Sequence, residues 1–329
     1  MRRTISLIAI LASVLAGCGS DGSTTPNATA FAAPAAGAIA PVTAAAASVD
    51  TVAPAATTAA ATTAAATTAA ATTTTAAPIE LNEVSFDMAD FSFTFPDSLP
   101  SGPTHFVGHN VGKEVHHATL VRIADGKTIA DALGAFAADP KSAYPLVKFF
   151  GGPQSVAPGA TQSNVVTLDP GNYAVLCVIP GADGIPHAAK GMLKPFTVTD
   201  SGKTDPPVPA GDTIVLRNYA FDIPNPLPAH GRIRVNNDAD QPHEVAVYRV
   251  NDDSSAGDAI AYLSAPTPPP GPSPVTDSGG ITAMQSGQVA GIDLDLVPGT
   301  YVFICFLPDA KDGMPHFAHG MVKTVEVMN

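Results

Sequence analysis

The chain has 329 residues and a formal net charge of −13, with 45% hydrophobic and only 14% charged residues. That acidic balance excludes the basic footprint of a nucleic-acid binder and electrostatic docking to anionic lipid. The length suits about two domains.

Arg2 and Arg3 precede an apolar run from Ile5 to Leu15, followed by Leu15-Ala16-Gly17-Cys18. A basic start, a short apolar stretch and small residues before a cleavage point describe an export signal over residues 1–17. The run is too short to span a bilayer as a stable helix. Leu-Ala-Gly-Cys resembles the lipobox of bacterial lipoproteins. The resemblance implies cleavage before Cys18, lipid on its sulfur and amine, and an exported protein held at a membrane of the bacterial cell envelope. Residues 18–78 are almost entirely Ala, Thr and Pro, with Asp21 and Asp50 as the only charges. Such a tract cannot bury a core and reads as a disordered linker that holds the downstream residues several nanometres from the membrane.

From Ile79 onward the sequence repeats itself at an offset of 127 to 129 residues. Phe91-Ser92-Phe93 matches Tyr219-Ala220-Phe221, His116 matches His243, and Gly151-Gly152 matches Gly279-Gly280. Cys177 matches Cys305, and His187 and Met192 match His316 and Met321. A shared register over so many landmarks describes one duplicated domain, with a period too long for a solenoid. Residues 79–204 form the first copy and 211–329 the second, joined by a short stiff connector carrying Pro206, Pro207 and Pro209.

Within each copy the runs are short and rich in Val, Ile, Phe, Tyr and Thr. Residues 118–123, 164–168, 173–179 and 195–199 are predicted strands of the first copy. Residues 213–216, 232–236, 244–250, 291–297 and 301–307 are those of the second. Gly and Pro clusters divide them, which is the pattern of an all-β chain of two tandem antiparallel Greek-key sandwiches. One short helix interrupts each copy. Thr128 with Asp131, and Ser255 with Asp258, read as N-caps supported by an acid in the first turn.

The chemistry-bearing residues recur with the same spacing. Pro170-Gly171-Asn172-Tyr173 leads into an apolar strand ending at Cys177; Pro298-Gly299-Thr300-Tyr301 leads into its counterpart ending at Cys305. A loop then brings His187 and Met192, or His316 and Met321, each pair separated by four residues. The aligned His116 and His243 complete two sets: His116, Cys177, His187, Met192 and His243, Cys305, His316, Met321. Two imidazoles and a thiolate in a plane, with a long axial thioether, are the donors of an electron-transfer copper centre. Cys177 and Cys305 each fall within their own copy, so a disulfide between them is not expected. His105, His109, His117, His230 and His319 have no counterpart in the other copy and read as surface histidines, with His319 close enough to His316 to compete for a metal.

The order His, Cys, His-x4-Met on a β-sandwich, with Pro-Gly-x-Tyr leading into the Cys strand, resembles the cupredoxins, the plastocyanin-like type 1 blue-copper proteins. The resemblance covers residues 79–329, once per copy. The Cys-to-His loops, residues 178–186 and 306–315, are longer than in the small members. They resemble the type 1 site of copper nitrite reductases, with Asp183-Gly184 and Asp312-Gly313 as the turns that fold them back. The resemblance implies one copper per domain, two per chain, and one-electron transfer to a redox partner protein. Enzymatic relatives place His beside the type 1 Cys, whereas Leu176, Val178, Ile304 and Phe306 stand there in this chain. The expectation on that ground is a protein that is not an enzyme. Two other functions use the same features: a copper-handling module at the cell surface, and a metal-free adhesion or structural sandwich.

Overall fold

The computed structural model describes residues 79–138, 140–265 and 269–328. The signal and linker assignments, Cys18 included, lie outside the described residues. The first copy contains β1 (Asn82–Ala89), β2 (Ser92–Thr94), β3 (Ser98–Pro100), β4 (Gly102–Asn110), β5 (Thr119–Ile123), α1 (Ile129–Ala138), β6 (Val147–Phe149), β7 (Thr161–Leu168), β8 (Gly171–Leu176) and β9 (Leu193–Thr199). The second contains β10 (Thr213–Arg217), β11 (Ala220–Asp222), β12 (His230–Asn237), β13 (His243–Val250), α2 (Ala256–Ser264), β14 (Val275–Met284), β15 (Val289–Asp295), β16 (Gly299–Ile304) and β17 (Val322–Val327).

The strands build three sheets. One, of five strands, runs β3-β9-β8-β5-β6; another, of four, runs β14-β13-β16-β17. The third has eight strands in the order β11-β10-β12-β15-β7-β4-β1-β2, and so passes through both copies. Each copy is a sandwich of its own small sheet against its half of the shared one. The alternation expected of half-buried strands is clear in β1, where Val84, Phe86 and Met88 point inward between exposed or half-buried neighbours. One buried apolar cluster runs from Phe106, Phe150 and Tyr173 in the first copy to Ile214, Phe303 and Tyr301 in the second. Burying each such side chain contributes about 1.5–3 kcal/mol, so the copies share their main stabilising core.

The sandwiches are not purely antiparallel as the sequence pattern implied. β1 pairs β4, β10 pairs β12 and β3 pairs β9 in parallel. Connections that cross between the two layers of a sandwich produce such pairs, and hydropathy alternation does not encode them. Two further features differ from the sequence reading. β8 and β16 stop one residue before Cys177 and Cys305: each cysteine amide still donates in register to the carbonyl of Met192 or Met321, at 3.1 and 3.2 Å, but the methionine amide turns away to the carbonyl of His187 or His316. β14 was not among the expected strands, since its polar start and Gly279-Gly280 mimic a loop.

The glycine pairs explain how the copies close on each other. Gly151 N–H donates to Ala283 O at 2.7 Å and Thr282 N–H to Gly152 O at 2.9 Å, across the boundary. Gly152 has φ +127°, and a Cβ there would lie 1.9 Å from the carbonyl oxygen of Ala118; Gly280, with φ +122°, would meet Val245 O at 1.9 Å. Gly152→Ala is therefore expected to cost more than backbone strain alone, which is about 1–3 kcal/mol. Urea unfolding reads the loss; an unchanged midpoint would refute it.

Both helices carry the expected caps. Thr128 and Asp131 exchange bonds of 2.8 and 3.2 Å, and Ser255 with Asp258 forms a full capping box.

Candidate metal centres

The first histidine of each set is fixed by the turn before it. Asn110, buried at the end of β4, donates through Nδ2 to Glu114 O and Val156 O, both at 2.7 Å. Asn237 repeats this with Gln241 O at 3.0 Å and Met284 O at 2.8 Å. These asparagines lock the loops that deliver His116 and His243. They stand at the 127-residue offset, so the repeat itself carried the signal, but the sequence reading passed over them.

The remaining donors come from the loop after the cysteine. In the first copy the loop folds back through Asp183-Gly184, and His187 N–H donates to Ile179 O at 3.0 Å. In the second, His316 N–H donates to Leu307 O at 2.9 Å. A single 3₁₀ turn then spans His187–Lys190 or His316–His319, closed by Gly191 and Gly320 at φ 107° and 104°. The left-handed glycine lets the methionine amide return to the histidine carbonyl, Met192 N to His187 O at 2.9 Å and Met321 N to His316 O at 3.0 Å. The His-x4-Met spacing is thus one closed turn.

The structure brings the equatorial donors together in both copies. His116, Cys177 and His187 form one fully buried cluster, and His243, Cys305 and His316 another, with donor atoms within 4.8 Å of one another. Nδ1 of His116 and His187 lie 3.1 Å apart, and His187 Nδ1 lies 3.5 Å from Cys177 Sγ. Cys305 Sγ lies 3.9 Å from His243 Nδ1 and 3.3 Å from His316 Nδ1. A trigonal ion bound at about 2.0 Å by imidazole and about 2.3 Å by thiolate holds its donors about 3.5–3.8 Å apart. The residues present therefore fit such an ion with little rearrangement. Met192 and Met321 are fully buried in the same core cluster as the cysteines, tied to them through the amide bonds already described. Cys177 and Cys305 are free thiols, although both belong to the one buried cluster that the copies share.

Burial sets the protonation states. It pushes the Cys177 thiol up to about 12 and Cys305 well above its ordinary value. It pulls His243 down to about 3 and His316 to about 4. His116 is also lowered by burial, against a partial opposing pull from Asp90. The imidazoles of His116, His243 and His316 are thus held toward the neutral, ligating form, while each thiol must lose a proton when a soft metal binds.

The two centres differ behind the donors. His116 Nε2 meets Asp90 Oδ1 at 3.1 Å, and His187 Nε2 meets Glu114 Oε2 at 3.0 Å. Nε2 of His243 and of His316 has no hydrogen-bond partner among the described residues; the nearest carboxylate oxygen, of Asp309, is 4.0 Å from His316. Carboxylates behind ligating imidazoles fix the ring and raise its basicity. Asp90→Ala is therefore expected to weaken copper binding at the first centre by about 10–100-fold and leave the second unchanged. Competitive chelator titration measures it, and equal losses at both centres would refute the asymmetry.

Aromatic rings pack on the last histidine of each set: Phe91 on His187 with ring centroids 5.4 Å apart, Tyr219 on His316 at 5.7 Å. Both sit at positive φ, 68° and 60°. Among the histidines read as surface residues, His230 and His319 are exposed and His105 and His109 half-buried. His319 lies with Asp309 and Asp312 in a separate cluster. His117 is a correction: it is buried, because its ring accepts the amide of Val178 at 2.9 Å and meets Gln154 Oε1 at 3.0 Å.

No family model and no curated protein matches this chain. Solved structures similar to it include an auracyanin from the photosynthetic bacterium Roseiflexus castenholzii, at 17% identity over 36% of this chain and 97% of that one, TM-score 0.27. They also include a multicopper oxidase, at 16% identity over 75% and 88% of the two chains, TM-score 0.20. A copper nitrite reductase from Nitrosomonas europaea matches at 14% identity over 76% and 95%, TM-score 0.22. The strand order and the placement of the donors define a cupredoxin-like fold. The expectation that the chain is not an enzyme is corrected by this comparison. The similar structures include oxidases and nitrite reductases, which are enzymes, alongside auracyanin, which is not.

Proposed function

We propose that the chain transfers single electrons through two mononuclear copper centres, one held by His116, Cys177, His187 and Met192, the other by His243, Cys305, His316 and Met321. The observation that carries this reading is the pair of buried two-imidazole, one-thiol clusters, with separations close to those of a trigonal ion. Copper bound there supplies a one-electron couple. The protein's part is to hold the donors still. Asn110 and Asn237 fix the first histidine, the closed 3₁₀ turns fix the second together with the methionine, and the apolar core keeps water from the thiolate. A rigid, dry site suits an ion that changes charge without changing ligands.

Spectroelectrochemistry of the copper-loaded protein tests the reading. Reversible one-electron cycling is expected, with two resolved potentials, because carboxylates back the imidazoles at the first centre alone. Copper that exchanges rapidly and does not cycle would point to copper handling instead. In the same reading, Cys18 anchors the chain at the cell envelope through lipid, with the two sandwiches as domains at 79–204 and 211–329. Cys18→Ser is expected to move the protein from the membrane fraction to the soluble fraction; a variant that still pellets with membranes would place the anchor elsewhere.

A further inference from the structure

The residues next to the first histidine of each set, His117 and Glu244, occupy equivalent positions and do equivalent things. The amide of His117 donates to Cys177 Sγ at 3.5 Å, and that of Glu244 to Cys305 Sγ at 3.5 Å. Each side chain then accepts the amide that comes after its cysteine: Val178 N–H to His117 Nε2 at 2.9 Å, Phe306 N–H to Glu244 Oε1 at 2.9 Å. With Nε2 accepting, the neutral His117 ring carries its proton on Nδ1 and donates to Gln154 Oε1 at 3.0 Å. Gln154 Nε2 donates across the boundary to Glu244 Oε2 at 2.9 Å. His117, Gln154 and Glu244 are all buried.

The result is one unbroken line of covalent and hydrogen bonds from sulfur to sulfur: Cys177, Val178, His117, Gln154, Glu244, Phe306, Cys305. Every donor along it faces an acceptor, and the line converges on the Glu244 carboxylate from both ends. The repeat has diverged where the line needs it to. The counterpart of Gln154 is Thr282, too short to reach across, and its buried hydroxyl has no hydrogen-bond partner among the described residues. The backbone on either side of Gln154 is tied down, Val156 by paired bonds to His116 at 3.1 and 2.8 Å and Pro153 by the amide of Ala118 at 2.9 Å. Electronic coupling decays less steeply along bonds and hydrogen bonds than across van der Waals gaps, so a continuous line between two thiolates is a route.

We infer that the two centres exchange electrons within the chain through the His117–Gln154–Glu244 bridge. One centre is oxidised as the other is reduced, and no atom or proton changes place. Gln154 is a positioning residue whose part is to close the gap between the copies. The inference rests on the proposal that both centres hold copper.

Pulse reduction of the copper-loaded Met192→Gln protein tests it, since an axial amide marks the first centre by colour and potential. After the concentration-dependent reduction, a first-order exchange of absorbance between the two centres is expected. Adding Gln154→Leu, or Glu244→Gln from the other copy, is expected to slow or abolish that phase while both colours remain. Adding His105→Gln, which removes the separate contact between His105 and Asp293 at 3.0 Å across the copies, is expected to leave it intact. A phase unchanged by Gln154→Leu, equally slowed by His105→Gln, or missing in a parent with two coloured centres would overturn the route while leaving the copper reading in place. A colourless parent would overturn the copper reading itself, and the route with it.

Discussion

Cys177→Ser is expected to remove one of two bound copper ions and about half of the visible absorbance, because the thiolate carries both the charge-transfer band and the strongest soft-ligand bond. Cys305→Ser is expected to do the same at the other centre, and the double variant to be colourless. Each set draws its donors from one copy only: His116, Cys177 and His187 in the first, His243, Cys305 and His316 in the second. The surviving centre should therefore keep its spectrum. Stability tracks the metal. At a free copper concentration about 100 times the dissociation constant, each occupied site adds about 2.7 kcal/mol, and that increment is lost with the cysteine. Met192→Leu and Met321→Leu are expected to be milder, shifting the potential while copper stays bound, since the axial bond is long and weak. Metal analysis with absorption spectra checks all five variants; loss of both ions in either single Cys variant would refute the independence of the sites.

The second large effect is on the copper-free protein in acid. The unfolded chain protonates its histidines below about pH 6.5, whereas burial holds His243 neutral down to about 3 and His316 to about 4. Between those values the unfolded state binds more protons, so stability is full above pH 6.5, falls as the pH drops from there toward the folded values, and levels off below them. Each proton contributes up to about 1.4 kcal/mol per pH unit, and two coupled imidazoles give at most roughly twice that. Urea unfolding of copper-free protein at pH 7.5 and 5.0 is expected to show a loss of a few kcal/mol. Bound copper, which already requires neutral imidazoles, is expected to add stability at the higher pH and to be released at the lower. A flat profile would mean that the histidines are solvated.

Much of the site was legible in the sequence because the chain states it twice. The in-register recurrence of His116 with His243 and of Cys177 with Cys305 picked out residues that the fold gathers into the two buried clusters, although neither histidine stands near its cysteine in sequence. The helix caps were legible from Thr128-Asp131 and Ser255-Asp258, since capping is local chemistry. What escaped was what the copies do to each other. Gly152 and Gly280 matched in register, but nothing local says that a neighbouring strand lies against them. β14 was hidden because its polar start and Gly279-Gly280 read as a loop, although it pairs along its length with β13. His117 was misread for a different reason: its partners, Val178 and Gln154, lie in its own copy but are remote in sequence, and the fold alone brings them together. Glu244 is buried on the same account, paired with an amide of its own copy and a glutamine of the other.

Titration of the copper-free protein with copper, tracked together by metal analysis and visible absorption, tests the central claim most directly. Two equivalents are expected to bind, with an intense thiolate-to-copper band that grows until the second equivalent is reached. Failure to retain copper, a single equivalent, or two equivalents without the band would contradict the assignment of the two clusters as copper–thiolate electron-transfer centres.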